Sequence, residues 1–250
     1  MDNTKFNIAV LIDGDNAQPK LIKAILEEVS KYGKATIRRI YGDWTTQQMN
    51  GWKETINQYS ISPVQKFSYT TGKNSTDSSL IIDAMDILHG KNIDGFCIVS
   101  SDSDYTGLAK RIREEGLFVM GIGEKKTPNA FVQSCEIFTF TENIAGDMPR
   151  PVLVNTAKQA KAEKVVSTNT PDLSIIDKAF DISTNEEEET YISTVGLNLR
   201  KIDPSFDPRT FGFKNLTSLF ESIKKYQVVK NEVNGLNYPL VKLRAKAHKK

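Results

Sequence analysis

The sequence predicts an α/β protein built on a parallel sheet, followed by a second, smaller α+β module. Three observations carry that prediction. Apolar runs of strand length alternate with segments of helical periodicity over residues 5–140, the pattern of successive βαβ units. The first run, Ile8-Ala9-Val10-Leu11-Ile12, is apolar throughout and breaks off into Asp13-Gly14-Asp15-Asn16, as a strand buried on both faces does at its carboxyl end. Beyond residues 142–170, which lack apolar periodicity, helical faces resume and lead to the hairpin signal Asn234-Gly235.

The elements follow in order. After the opening strand, Leu21, Ile22, Ile25, Leu26 and Val29 recur at helical spacing between Pro19 and Lys31, and Gly33 closes that helix. The pattern predicts a second strand from Ala35 to Tyr41, a helix from Trp44 to Tyr59 and a short strand from Ser62 to Phe67. Leu80, Ile81, Ala84, Met85 and Leu88 share one side of a helix predicted from Ser79 to Leu88. A fourth strand is predicted over 95–99, a helix from Tyr105 to Glu115 closed by Gly116, a fifth strand from Leu117 to Ile122 and a sixth from Glu136 to Phe140. Pro149, Pro151 and a Lys/Ala/Glu/Gln mixture then read as a linker, partly helical over 157–164. In the second module Leu173, Ile176, Ala179 and Phe180 mark a helix, and the acidic run 186–189 suits a helix N-terminus. Leu197 and Leu199 fall in a short helix, and Leu216, Leu219, Phe220 and Ile223 form a third helical face. Helices followed by a hairpin outline a winged-helix-like module. The domains expected are 1–142, a linker over 143–170, 171–244 and a basic tail over 245–250.

With 250 residues, 39% hydrophobic and 26% charged, the chain has the composition of a globular protein large enough for two domains. No apolar run approaches the roughly 18 residues of a membrane helix, and the N-terminus lacks the shape of a signal peptide. Cys97 and Cys135 are far apart and form no C-x-x-C pattern, so a reducing, cytoplasmic setting with no membrane partner is expected. Residues 1–150 hold 17 Lys+Arg against 19 Asp+Glu, a net −2, whereas residues 151–250 hold 16 against 12, a net +4. The basic end from Lys242 onward suits either phosphate contact or simple solvation.

The chemistry is expected where acids gather at strand ends. Asp13 and Asp15 follow the first strand, Asp102 and Asp104 follow the fourth, and Asp77 opens the helix before it. First and fourth strands are usually neighbours in a doubly wound sheet, which brings these ends to one crevice. Clustered carboxylates repel one another, and a hard divalent cation such as Mg²⁺ or Mn²⁺ relieves the repulsion. No histidine lies near, which disfavours zinc. Capping offers the plainer explanation for Asp104 or Asp77, and solvation for Asp83 and Asp86. Two strands that each end in Asp-x-Asp exceed what capping requires. Metal-assisted phosphoryl chemistry is therefore the expectation.

These residues carry a family resemblance. Ile12-Asp13-Gly14-Asp15-Asn16, then Lys73 with Asp77 leading into Leu80-Ile81-Ile82-Asp83, then Ser100-Ser101-Asp102-Ser103-Asp104-Tyr105 resemble an NYN domain of the LabA-like branch of the PIN-like nuclease superfamily, over about residues 5–142. The resemblance implies a PIN-like, three-layer parallel-sheet domain that hydrolyses RNA phosphodiester bonds with Mg²⁺ or Mn²⁺. It implies Asp13, Asp77, Asp102 and Asp104 as metal-binding acids, Asn16 as the polar residue after the first, and Asp83 as a weaker helix position. Ser101 stands where relatives often have Gly. Lys73 and Asn74, with Arg38 or Arg39 and with Lys125 and Lys126 as further candidates, are the expected phosphate-gripping rim, and Asp13 is the expected central ligand.

The second module resembles an OST-HTH/LOTUS domain. The residues that carry the likeness are Ser193-Thr194-Val195-Gly196-Leu197, Phe206-Asp207-Pro208-Arg209-Thr210-Phe211-Gly212-Phe213 and Leu216 to Phe220. Such domains are associated with RNA binding, or in some cases with protein contacts, and Arg200, Lys201, Arg209, Lys214, Lys224 and Lys225 are the backbone-contact candidates. The whole reads as a metal-dependent ribonuclease, with endonucleolytic cleavage the expected mode, RNA the expected partner and a homodimer that completes an RNA channel a further option. Two alternatives stay open. One is a non-catalytic RNA-binding adaptor. The other is a haloacid-dehalogenase-like phosphatase with Asp13 as nucleophile, although Ala17 stands where that family has Thr or Val and no cap insertion is evident.

Overall fold

The computed structural model describes residues 6–67, 75–90, 92–145, 170–184, 189–233 and 235–244. The chain divides into two compact units, Met1–Asp147 and Met148–Lys250. In the first unit a parallel sheet contains β1 (Asn7–Asp13), β2 (Lys34–Gly42), β3 (Ser62–Gln65), β4 (Gly95–Val99), β5 (Phe118–Gly123) and β6 (Ile137–Phe140). Its order is β3-β2-β1-β4-β5-β6. The expected α/β architecture is thus present, with β1 paired to both β2 and β4. The strand order reverses direction between β1 and β4. In open α/β sheets the crevice outside the carboxyl ends at such a switch point is where ligands bind.

Among the described residues the helices of this unit are α1 (Ile22–Ser30), α2 (Lys53–Gln58), α3 (Ser75–His89), α4 (Thr106–Glu114), α5 (Asn129–Ser134) and α6 (Thr141–Ala145). β1 is apolar without interruption because helices cover both of its faces, and Ile8 to Ile12 are fully buried. Alternation along the strand divides it between two layers. Ala9 and Leu11 share a core with Leu80 and Ala84 of α3, Leu108 and Ile112 of α4 and Phe131 of α5. Ile8, Val10 and Ile12 share the other with Ile22, Ile25 and Val29 of α1, Trp52 and Ile144 of α6. By the same alternation Asp13 falls on the side of α3 and α4.

Three local expectations differ. Gln47–Trp52 is a 3₁₀ turn leading into α2, because Asn50-Gly51 disfavours a continuous α-helix. α3 begins at Ser75 and so takes Asp77 into its first turn. The short helices α5 and α6 escape periodicity, which needs more than one or two turns, yet they bury Phe131 and Ile144.

The second unit is α+β. It contains α7 (Leu173–Ser183), β7 (Glu189–Tyr191), α8 (Ile192–Ile202), α9 (Leu216–Ser222), β8 (Tyr226–Val229), β9 (Glu232–Val233), β10 (Leu236–Asn237) and β11 (Leu240–Leu243). β7, β11 and β8 form an antiparallel sheet around a core of Ile176, Phe180, Val195, Leu199, Phe206, Phe220, Tyr226 and Val241. The β9–β10 hairpin turns at Gly235, whose φ of 78° suits a residue without Cβ. Glu189, expected near a helix N-terminus, instead opens β7, where it lies opposite Lys242 across the strand pair. The readings made for 157–164, 186–188 and 245–250 fall outside the described residues.

Candidate active site and metal centre

The site forms at the switch point. β1 and β4 run in register up to Ile12 and Val99, so the next residues, Asp13 and Ser100, emerge side by side. Ser100 Oγ donates to Asp13 Oδ2 at 2.8 Å, and Asn16 Nδ2 donates to the same oxygen at 2.7 Å. The backbone N–H of Asp15 reaches Oδ1 at 3.1 Å. Asp13 is 1% exposed. Burial pushes its carboxyl above the ordinary range, against the opposing hydrogen bonds of Ser100 and Asn16.

Ser100 works in both directions, since its hydroxyl also accepts the backbone N–H of Asp102 at 3.1 Å. Asp102 then caps the following 3₁₀ turn, accepting from the N–H of Asp104 at 3.0 Å. The capping role suspected for Asp104 thus falls to Asp102, which leaves Asp104 exposed in the first turn. Asp77 arrives from α3, and the hydroxyl of Tyr105 donates to its Oδ1 at 2.6 Å.

Asp77, Asp102 and Asp104 each present a carboxylate oxygen, and the three oxygens lie within 4.8 Å of one another. Burial, the largest cause, raises the Asp77 pKa against the Tyr105 hydrogen bond, and the charges of Asp13, Asp102 and Asp104 raise it further. Tyr105 is fully buried, and burial together with the neighbouring anions keeps its phenol protonated. The donor set is all carboxylate oxygen: His89 ends α3, and Cys97 and Cys135 are buried free thiols of the core. Several hard anionic oxygens converging at a half-open position fit a hard divalent cation such as Mg²⁺ or Mn²⁺.

The remaining candidates are placed as follows. Asp13 is not one of the three acids that share that spacing, and Asn16 is one of its hydrogen-bond donors. Lys73 and Asn74 lie outside the described residues. Arg38 sits opposite Val10, well before the strand end, and its guanidinium donates to the carbonyls of Ala35 at 3.2 Å and Tyr59 at 2.9 Å. Arg38 therefore ties β2 to the residue that ends α2. Asp83 is not simply solvated: it is bonded to Arg39 and to the hydroxyl of Tyr41, which ties α3 to β2. The Ser101 hydroxyl accepts the N–H of Glu124 at 2.9 Å and joins the ends of β4 and β5.

In the second unit Arg209 forks onto Asp207, at 2.9 Å and 2.6 Å to Oδ2. Lys201 and Lys214 are exposed, and Arg200 is half-buried. Sequence reasoning assigned no role to Ser100 or Tyr105. The available signal was that hydroxyl residues bracket the Asp102–Asp104 motif on both sides.

Among the described residues no helix is long and apolar enough to cross a membrane. No curated protein matches the chain. A crystal structure of a protein of unknown function from Vibrio parahaemolyticus is similar at 16% identity, covering 55% of this chain and 94% of that one with a TM-score of 0.47. A solution structure of an uncharacterized protein from Nitrosomonas europaea is similar at 18% identity, covering 41% of this chain and 98% of that one with a TM-score of 0.31. The NYN domain model matches residues 7–142, and the OST-HTH/LOTUS domain model matches residues 163–238. Together with the acidic cluster, this pairing supports a nuclease and RNA-binding role. The first match spans more than half of the chain and contains the whole acidic cluster, so the protein belongs to the NYN domain family and carries an OST-HTH/LOTUS domain behind its NYN domain.

Proposed function

We propose that this protein is a Mg²⁺- or Mn²⁺-dependent ribonuclease that cleaves RNA internally, with the LOTUS unit supplying additional hold on the RNA. The observation that carries the reading is the meeting of Asp77, Asp102 and Asp104 within 4.8 Å at the switch point. Asp77, Asp102 and Asp104 would hold the ion. When bound, it supplies Lewis-acid stabilisation of the charge that builds on the phosphate during displacement. Ser100 fixes the Asp102 turn, and Asn16 and Ser100 orient the buried Asp13 carboxylate, which adds negative potential behind the cluster. The burial of Asp13, with a donor on each oxygen, counts against a phosphoaspartate mechanism, since a covalent nucleophile must reach its substrate. A tethered RNA-binding unit raises the effective concentration of substrate at the cluster.

The test uses purified full-length protein and a circular RNA, which only internal cleavage can open. Cleavage with Mn²⁺ or Mg²⁺, its loss in EDTA and its loss in Asp102→Asn are expected. Undiminished cleavage in EDTA or by that variant would refute the assignment.

A further inference from the structure

The fully buried phenol of Tyr105 has no role in the chemistry above, yet its hydroxyl meets one of the three clustered carboxylates. Asp102 and Asp104 belong to one turn, which holds itself through the Asp104 N–H to Asp102 bond and hangs from Ser100. Asp77 belongs to a different element, the first turn of α3. Three carboxylates meet only if that helix turn is held against the 3₁₀ turn, and their mutual repulsion opposes it. Tyr105 is the residue directly after Asp104, so one short segment supplies two of the carboxylates and the donor that grips the third, at 2.6 Å.

The place of the hydroxyl is set by the core. The ring lies in the same apolar layer as Phe131, with centroids 6.3 Å apart. A neutral donor also suits the task better than Lys or Arg, whose charge would offset the very field that attracts a cation. Further along the same helix, Asp83 is bonded to Tyr41 and Arg39 of β2, so α3 is pinned at a second point that does not bear on the cluster directly.

We propose that Tyr105 is a positioning residue of the cation site, its hydroxyl holding Asp77 against the Asp102–Asp104 turn so that three carboxylates from two elements converge. This inference rests on the cluster being a divalent-cation site. The alternative is that a buried tyrosine has simply found an acceptor, as buried tyrosines usually do. The two differ in what the bond does for the ion.

The experiment is Mn²⁺ titration of the full chain, with the free ion followed by electron paramagnetic resonance and folding checked by thermal melting. Tyr105→Phe keeps the ring and removes the donor. Its Mn²⁺ affinity is expected to fall about 10–100-fold, the usual effect of losing a partner that orients a metal ligand. The Mn²⁺ concentration for half-maximal cleavage should rise in step, with most of the rate retained at saturating Mn²⁺. Tyr41→Phe is the control, because it removes the other buried phenol that is bonded to an aspartate of α3 and should leave Mn²⁺ affinity near wild type. A folded Tyr105→Phe that binds Mn²⁺ as wild type does overturns the inference while the cation site stands. Equal losses in both variants also overturn it, since affinity would then follow helix docking in general. Absence of Mn²⁺ binding by wild type removes the underlying reading instead.

Discussion

Replacing Asp77 by Asn should make the metal-free protein more stable while abolishing cleavage. Asp77 offers one of three carboxylate oxygens that lie within 4.8 Å of one another. Two unit charges at that separation repel by about 1 kcal/mol in bulk water and by roughly 3–4 kcal/mol at an effective dielectric near 20. Because Asp104 is exposed and the cluster opens to solvent, the lower figure is the fair one for each pair. Relief from two neighbours is therefore about 1–2 kcal/mol, roughly 2–4 °C in melting temperature for each kcal/mol. The amide of Asn still offers an oxygen to the Tyr105 hydroxyl. Mn²⁺ should reverse the order, because ligand at 100 times its dissociation constant stabilises the native wild type by about 2.7 kcal/mol.

The pH dependence follows from the same charges. Asp13 and Asp77 have native pKa values raised above the ordinary 3.8, so the native state keeps protons that the unfolded chain releases. Their contribution is fully present below 3.8 and is lost as pH rises through the native values. Melting curves in EDTA from pH 4 upward should show wild type losing its advantage as pH rises, with a shallower slope for Asp77→Asn. A variant less stable than wild type in EDTA at neutral pH, with both proteins gaining equally from Mn²⁺, would refute the electrostatic argument.

Ser100→Ala removes the donor to Asp13 and the acceptor for Asp102; urea unfolding should show a loss of about 1–3 kcal/mol, with cleavage impaired beyond what the remaining folded fraction explains. Gly123→Ala would place a Cβ 2.5 Å from the Ser100 carbonyl and 2.8 Å from Thr127 Oγ1. Overpacking of about 1–3 kcal/mol and a displaced Asp102 turn are expected, seen as a lower melting temperature together with weaker Mn²⁺ binding. In the second unit, Lys201→Glu and Lys214→Glu should each weaken RNA binding and flatten its salt dependence. Arg209→Gln should alter the salt slope less, because that guanidinium is already committed to Asp207; fluorescence anisotropy across a salt series checks both.

Much of this architecture is local enough to read along the chain. The apolar run of β1 and its abrupt end in Asp13 require only the alternation of burial and polarity. The Asp102-x-Asp104 motif follows a strand by the same logic. Asp77 was picked out by its place at the mouth of the helix before the fourth strand, and only the motif resemblance made it a ligand, since a single acid in a helix carries no pattern of its own. The short helices α5 and α6 were hidden because one or two turns show no period. The partners of Arg38 and Asp83 were hidden for a different reason. A charged side chain on an edge strand or helix looks equally free in sequence whether it meets phosphate, solvent or a partner from another element. Here Arg38 meets the Ala35 and Tyr59 carbonyls, and Asp83 meets Arg39 and Tyr41.

By itself, then, the sequence determined the parallel α/β class, the α+β module behind it and the acids that gather at the strand ends. Each of these depends on periodicity or on neighbours within a few residues. Only the tertiary structure decided how those acids divide their work. Strand pairing sets Ser100 beside Asp13 and buries that carboxylate, the turn makes Asp102 the cap, and helix docking brings Asp77 under the Tyr105 hydroxyl. These are contacts between elements distant in sequence, where burial and hydrogen-bond geometry depend on packing that no local pattern records.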